Sequence, residues 1–261
     1  MALSLWLALR KAGGYAAPMQ TAIVTGGAKR IGAEIVRALS ADGWHVLIHY
    51  NRSGTDAEAL AAEVGNAALV QADLADAAAA DAIVAALDGL PPARLLVNNA
   101  SIFAHDDIRD FTAESWAAHL DVNLRAPALL TRAFAAAAGE GLIVNLLDAK
   151  LHGPNPDFFS YTVSKYGLAG VTELAARAFA PAIRVCGIAP SVTMVSGPQS
   201  RANFDKVHGL NALGRGVRVE EIVAALRFLI ATPSITGHTI LLDGGQRFLS
   251  LPRDVQFLEP R

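Results

Sequence analysis

Cysteine is nearly absent from this chain of 261 residues, which carries only Cys186. A single thiol forms no internal disulfide, which fits a reducing cytoplasmic setting. Cys186 lies in the apolar run Ile183-Arg184-Val185-Cys186-Gly187-Ile188 and is expected to be a buried strand residue. Charge is also scarce: 18% of residues are charged, the formal net charge is −2, and no block of lysine or arginine occurs. Nucleic acid is therefore not expected as a partner. No apolar stretch reaches the roughly 18 residues needed to cross a bilayer, so no membrane span is expected. The 7 histidines make no His-Glu-x-x-His and no Cys–His cluster, so no metal is expected.

What is present is apolar residues, at 52%, with alanine a large part of them. The length suits one α/β domain, a class that often runs to about 250 residues without splitting. Residues 1–18 stand apart. Leu3 to Leu9 is apolar, but Arg10 and Lys11 follow it, the reverse of a secretory signal. They read as an N-terminal extension or a start-site artefact, because Met19 directly precedes the first strand pattern. The domain is then 19–261.

From Gln20 onward, short β-branched runs alternate with alanine-rich helical stretches. Strands are predicted at 21–25, 45–49, 68–71, 95–98, 142–146, 184–188 and 240–242. Helical periodicity predicts helices at 31–41, 56–64, 76–87, 112–138, 158–180 and 219–231. This alternation predicts an α/β fold: one doubly wound, Rossmann-type domain with about seven parallel strands. Ligands in such sheets bind at the carboxyl ends of the strands. The stretch 190–213, rich in Ser, Gly, Pro and Asn, breaks the alternation and is predicted to be a long loop covering the substrate.

Chemistry clusters after the predicted strands. Thr25-Gly26-Gly27-Ala28-Lys29-Arg30-Ile31-Gly32 leaves the first strand and opens the first helix. Glycines there let backbone approach a pyrophosphate, and the helix N-terminus offers amide donors and a favourable dipole. The second strand ends in His49-Tyr50-Asn51-Arg52-Ser53, and no acid occurs between Gly43 and Thr55. A carboxylate there would hold an NAD ribose; Arg52 and Ser53 instead favour the 2′-phosphate of NADPH. The competing reading of Arg52 is a solvated turn residue.

Tyr161 and Lys165 lie four apart in Tyr-Thr-Val-Ser-Lys and share a helix face. At about 4 Å and an effective dielectric near 20, their interaction is worth roughly 4 kcal/mol. That is enough to bring a phenol from about 10 toward about 7 and make Tyr161 a proton donor.

Taken in order, these features resemble the short-chain dehydrogenase/reductase family from Gln20 to about Leu249. The carriers are the Thr-Gly loop, Asp73-Leu74, Asn98-Asn99-Ala100, Asn123, Tyr161 with Lys165, and Asp243-Gly244-Gly245. The resemblance implies hydride transfer from a nicotinamide, with Tyr161 as acid and Lys165 on the nicotinamide ribose. It implies that Asn123 supports a relay water, that Asp73 meets the adenine, with Leu74 beside it in the cofactor set, and that Asn99 and Ala100 line the cofactor cleft. Ile31, Gly32, Pro190 and Ser191 complete the implied cofactor set. Such reductases are commonly homotetramers.

Four departures, together with His-Tyr-x-Arg-Ser, resemble the pteridine reductase branch. Arg30 replaces the second loop glycine, Ser101 follows Asn99-Ala100 in place of glycine, Phe103 comes two residues later, and Asp148 stands where the catalytic serine is usual. Ser191, in place of the glycine after Pro190, is a further departure. In that branch the arginine reaches cofactor phosphate and pterin, the serine lies beside the pterin, and the phenyl ring stacks on it. An ionised carboxylate at 148 would repel the oxyanion of a ketone reduction. A pterin C=N bond instead needs a proton on nitrogen, which Asp148 and Tyr161 would relay. The alternative readings are that Asp148 only caps the turn 149–156 and that Phe103 is an ordinary core aromatic.

The expected function is reduction of a dihydropterin, of the dihydromonapterin, dihydrobiopterin or dihydrofolate type, with NADPH. Two alternatives stand beside it: a carbonyl or 3-oxoacyl reductase, and an NADPH-binding protein with little catalysis. The tail 248–261 is expected to reach either a neighbour's active site or its own subunit.

Overall fold

The computed structural model describes residues 19–196 and 199–258; the predicted extension 1–18 lies outside them. The elements run β1 (Thr21–Val24), α1 (Arg30–Ala41), β2 (His45–Tyr50), α2 (Gly54–Val64), β3 (Ala67–Gln71), α3 (Ala79–Ala85) and β4 (Ala93–Asn98). There follow α4 (Ala113–Leu120), a π-helical turn (Asp121–Arg125), α5 (Ala126–Ala138), β5 (Gly141–Leu146) and α6 (Phe159–Phe179). The chain continues through β6 (Ile183–Pro190), α7 (Arg201–Val207), α8 (Val219–Ala231) and β7 (Thr239–Leu242).

The strands form one 7-stranded sheet in the order β3-β2-β1-β4-β5-β6-β7. Every neighbouring pair is parallel. Alternate residues of each strand enter opposite cores, as the two-residue repeat of a strand requires. Val24, Ile48, Val97, Val144 and Cys186 pack with Val36 and Leu39 of α1, Leu60 of α2 and Leu226 of α8. Ile23, Leu47, Leu96, Ile143 and Val185 pack with Ile83 of α3, Leu130 and Phe134 of α5, and Ala176 of α6. With helices on both faces, the strands read as continuous apolar runs. Cys186 is fully buried, as expected of a strand residue. No helix among the described residues is long and apolar enough to cross a membrane.

The main differences from expectation have local causes. The predicted helix 112–138 is divided by the π turn, whose widened backbone places Asn123 at the bend. The predicted helix 76–87 begins late, because Asp76 accepts the Ala78 amide at 2.9 Å and holds a turn instead. The loop 190–213 is not without structure. Its start continues β6 to Pro190, paired with Leu242, and α7 lies inside it, capped by Ser200 accepting the Asn203 amide at 3.1 Å.

The turn after β1 folds tightly onto α1. A methyl group at Gly32 would overlap the carbonyl oxygen of Gly26 and come within 2.7 Å of Asn99 Nδ2. Gly32→Ala should therefore destabilise the protein by about 1–3 kcal/mol even though alanine is the better helix former. Denaturant unfolding checks this; unchanged or increased stability would mean that the turn is looser than described.

Candidate active site

The strand order reverses between β1 and β4, and the segments leaving their carboxyl ends open a cleft of about 440 Å³. Gly26, Arg30, Ile31 and Gly32 form one side. Asn99, Ala100, Ser101 and Phe103 enter from β4, Asp148 from β5, Tyr161 and Lys165 from α6, and Pro190 and Ser191 from β6. Thirteen residues predicted for the site thus meet in one place, contributed by segments far apart in the chain.

Other predicted residues lie elsewhere. Asn51, Arg52 and Ser53 follow β2 outside this cleft; the first two are exposed, and Ser53 precedes α2. Asp73 is exposed and accepts the Ala75 amide at 3.0 Å. Leu74 packs its side chain into the core beside Ile23 and Ile83, which leaves only its backbone for a ligand. Asn123 is fully buried and does not line the cleft. Its Nδ2 donates to Ile102 O at 2.9 Å and to Ser164 Oγ at 3.1 Å, and its Oδ1 accepts from Ile102 N at 2.8 Å and Ser101 Oγ at 3.2 Å. With these bonds made, the Asn123 side chain anchors the 101–103 segment and does not present itself to a relay water.

Thr25 and Asn99 lock the glycine turn. Thr25 Oγ1 accepts the amides of Asn99 and Ala100, both at 3.0 Å, and Asn99 Nδ2 donates to Thr25 O and Gly26 O at 2.9 and 3.2 Å. The N-cap of α1, Lys29, makes no side-chain cap bond. The first-turn amides of this helix lack a capping partner where Arg30, Ile31 and Gly32 meet the cleft. Such a helix end fits the pyrophosphate of a dinucleotide.

At the centre, the Tyr161 hydroxyl donates to Asp148 Oδ2 at 2.7 Å. The other carboxylate oxygen accepts the Lys150 amide at 2.8 Å and caps the short 3₁₀ turn Ala149–His152. Asp148 therefore both caps a turn and meets the phenol, so the two sequence readings are compatible. Although part of its surface meets the cleft, burial raises the Asp148 carboxyl above its ordinary value. The Tyr161 hydroxyl, the Lys150 amide and the charges of Lys165 and Lys150 pull in the other direction.

The protonation expected for Tyr161 is reversed. Burial and then the charge of Asp148 push the phenol well above its ordinary value, not down toward neutrality. Burial is the larger cause, and the Asp148 carboxylate bonded to the hydroxyl adds to it, while Lys165 Nζ donates to Leu146 O at 2.7 Å. Lys165 itself is brought down to about 8 by burial, against the opposing charge of Asp148.

Phe103 is half-buried. It stacks on Phe158 at 4.1 Å and meets Tyr161 edge-on at 4.7 Å. It is thus both a packed aromatic and a wall of the cleft. Ser101 is exposed beside it and bonds Asn123.

One wall comes from the tail, which the sequence left between a neighbour's active site and its own subunit, without naming contact residues. Leu251, Asp254, Val255 and Gln256 of the C-terminal segment line the cleft, as does Lys150. Lys150 Nζ pairs with Asp254 Oδ2 at 3.2 Å. Asp157, buried to 2% exposure, accepts Arg253 Nε at 2.8 and 2.9 Å and the Asp254 amide at 2.7 Å. Burial would raise the Asp157 carboxyl, but the bonds from Arg253 and the Asp254 amide hold it below the usual range. The described tail therefore folds back on its own chain. Lys150 was detectable, since an aspartate commonly takes the amide two residues on. The tail contacts carry no local signal.

Arg30 spans the cleft and donates to Val195 O at 2.6 Å, tying the covering segment to the glycine turn. Its φ is 56°, the left-handed region that favours glycine. Holding a side chain there costs about 1 kcal/mol or more, a cost that concentrates at functional sites. Arg30→Gly and Arg30→Ala both lose the Val195 bond, so their difference isolates the backbone. The glycine variant should be the more stable by about 1 kcal/mol in denaturant unfolding; equal stability would contradict the strain.

Known proteins resemble the chain along most of its length. Residues 20–205 match the family model described as short chain dehydrogenase. A 3-oxoacyl-[acyl-carrier-protein] reductase from Synechocystis sp. is 32% identical over 87% of this chain and 96% of its own. Pteridine reductase 1 from Leishmania tarentolae is 31% identical over 86% of this chain and 95% of its own. Among solved structures, the FolM alternative dihydrofolate reductase 1 from Brucella canis, complexed with NADP, is 39% identical with a TM-score of 0.84. That likeness covers 88% of this chain and 94% of the Brucella chain.

Proposed function

Because the chain belongs to the short chain dehydrogenase family, we propose that it is an NADPH-dependent reductase of a dihydropterin or dihydrofolate C=N bond. The Brucella relative, which binds NADP, and the Leishmania pteridine reductase support this reading. The observation that carries it is the 2.7 Å bond between Asp148 and Tyr161 inside the cleft. NADPH would lie with its pyrophosphate at the N-terminus of α1 and its 2′-phosphate near Arg52 and Ser53, and it would supply the hydride. Asp73, the Leu74 backbone, Asn99, Ala100, Pro190 and Ser191 would flank it, with Lys165 on the nicotinamide ribose.

The chain's own residues would deliver the proton. Hydride addition to the carbon of C=N leaves a negative nitrogen that takes one proton and becomes N–H. Tyr161, held protonated above all by burial, is the donor at the nitrogen. Asp148, whose carboxyl burial raises above its ordinary value, refills the phenol from its protonated form. Phe103, backed by Phe158, offers its cleft side to a flat heterocycle; Arg30 and Ser101 sit at the edge where polar groups of a pterin would be read.

The second reading is a carbonyl reductase, favoured by the Synechocystis relative of comparable identity. An ionised Asp148 would count against it, since a carboxylate beside Tyr161 opposes a developing oxyanion, whereas its protonated form would not.

Asp148→Ser separates the two. NADPH consumption is followed with a dihydropterin, dihydrofolate and a simple diketone in parallel. The dihydropterin or dihydrofolate rate should fall about 100-fold or more in the variant. In the wild type that rate should decline as pH rises through the elevated Asp148 pKa, because the proton-giving form is lost. The limb should vanish in the variant. Faster diketone turnover in the variant, with no effect on dihydropterin or dihydrofolate, would favour the carbonyl reading.

A further inference from the structure

His49, near the end of β2, is only 2% exposed, and its ring bridges two loops. Nδ1 accepts the amide of Gly26 at 3.1 Å, and Nε2 lies 3.1 Å from Ala72 O. The backbone carbonyl of His49 also accepts the Gly27 amide at 2.9 Å. A peptide N–H only donates and a carbonyl only accepts, so these partners leave one ring state that satisfies both. Nδ1 is bare and Nε2 carries the proton. The other tautomer would set N–H against N–H at Gly26 and a lone pair against a lone pair at Ala72. A doubly protonated ring would lose the Gly26 bond. Burial, which lowers the ring's pKa, acts in the same direction.

The two loops carry opposite ends of the proposed cofactor site. Gly26 is the turn before α1, with φ of 59°, and Ala72 directly precedes Asp73 and Leu74. Asn99 grips the carbonyl of Gly26 from β4, while His49 grips its amide from β2. The amide of Gly26 is thereby committed to protein, and the first-turn amides of α1 remain for an anion.

We propose that His49, as the neutral Nε2–H tautomer, is a positioning residue for the dinucleotide. It braces the glycine turn against the loop after β3, so that the pyrophosphate and adenine subsites hold one spacing before the cofactor arrives. This rests on the cofactor reading above.

The test uses His49→Leu, which removes both bonds, and His49→Gln, whose amide can both accept from Gly26 and donate to Ala72. NADPH binding is measured by fluorescence, KM for NADPH is compared with kcat, and the His49 ring state is read by ¹⁵N NMR of the full-length wild type. The leucine variant should bind NADPH about 10- to 100-fold more weakly. Its KM for NADPH should move more than kcat, and glutamine should restore most of the affinity. The NMR spectrum should show a bare Nδ1 and a protonated Nε2 without cofactor. A leucine variant that binds as tightly as a wild type that does bind would overturn this inference alone. A wild type that binds no NADPH would overturn the cofactor reading and this inference with it. Should the leucine variant fail to fold, the glutamine variant and the ring state decide, and a proton on Nδ1 overturns the proposal.

Discussion

A carboxyl group and a phenol share one hydrogen bond at the wall of the cleft, and the rest of the site is arranged around that bond. Asp148 leaves β5 and Tyr161 comes from the first turns of α6, so the sheet and one helix fix their 2.7 Å separation. Burial makes ionisation costly for both. With Lys165 drawn to the Leu146 carbonyl, proton affinity rises across the Asp148–Tyr161 pair and does not fall on the phenol alone. A pair of this kind holds a proton near the reacting atoms, where the nitrogen of a reduced C=N bond needs one.

The surrounding parts hold that centre in place. Asn123, at the π-helical bend, fastens the segment that carries Ser101 and Phe103. The Asp157–Arg253 clamp brings Asp254 against Lys150, whose own amide donates to Asp148, so the C-terminal segment is mechanically linked to the proton-bearing carboxyl. On the opposite side, Arg30 accepts an unfavourable backbone geometry and reaches across to the covering segment. Each contact restrains a loop from a distance, which is how precision is obtained on flexible connections.

Much of this was legible before any coordinates. The alternation of runs yields the parallel doubly wound sheet because strands buried on both faces must be apolar throughout. The i, i+4 spacing of Tyr161 and Lys165 put both on one face of α6, and both do line the cleft. The direction of the Tyr161 shift was not legible, because spacing along a helix reports neither the burial of the phenol nor the carboxylate bonded to it. That the Leu74 side chain enters the core was not legible, because adjacent residues leaving a strand point opposite ways and only packing decides which meets the core. Helix α7 escaped notice because it has seven residues among Ser, Gly and Pro, although Ser200 was a readable cap. Which of its two expected places the C-terminal tail takes, and through which residues, was not legible for another reason. Lys150 and Asp157 find their partners about a hundred residues later, at separations where no periodicity operates.

The central claim is that Asp148 retains its proton to a higher pH than a free carboxyl does. The direct measurement is a ¹³C carboxyl NMR titration of the intact protein, with the Asp148 signal assigned by its loss in Asp148→Asn. A midpoint clearly above the ordinary aspartate value of about 3.9 is the predicted result. A midpoint at or below that value would mean that the carboxyl is an ordinary anion at neutral pH, and the proton-supplying pair would have no basis.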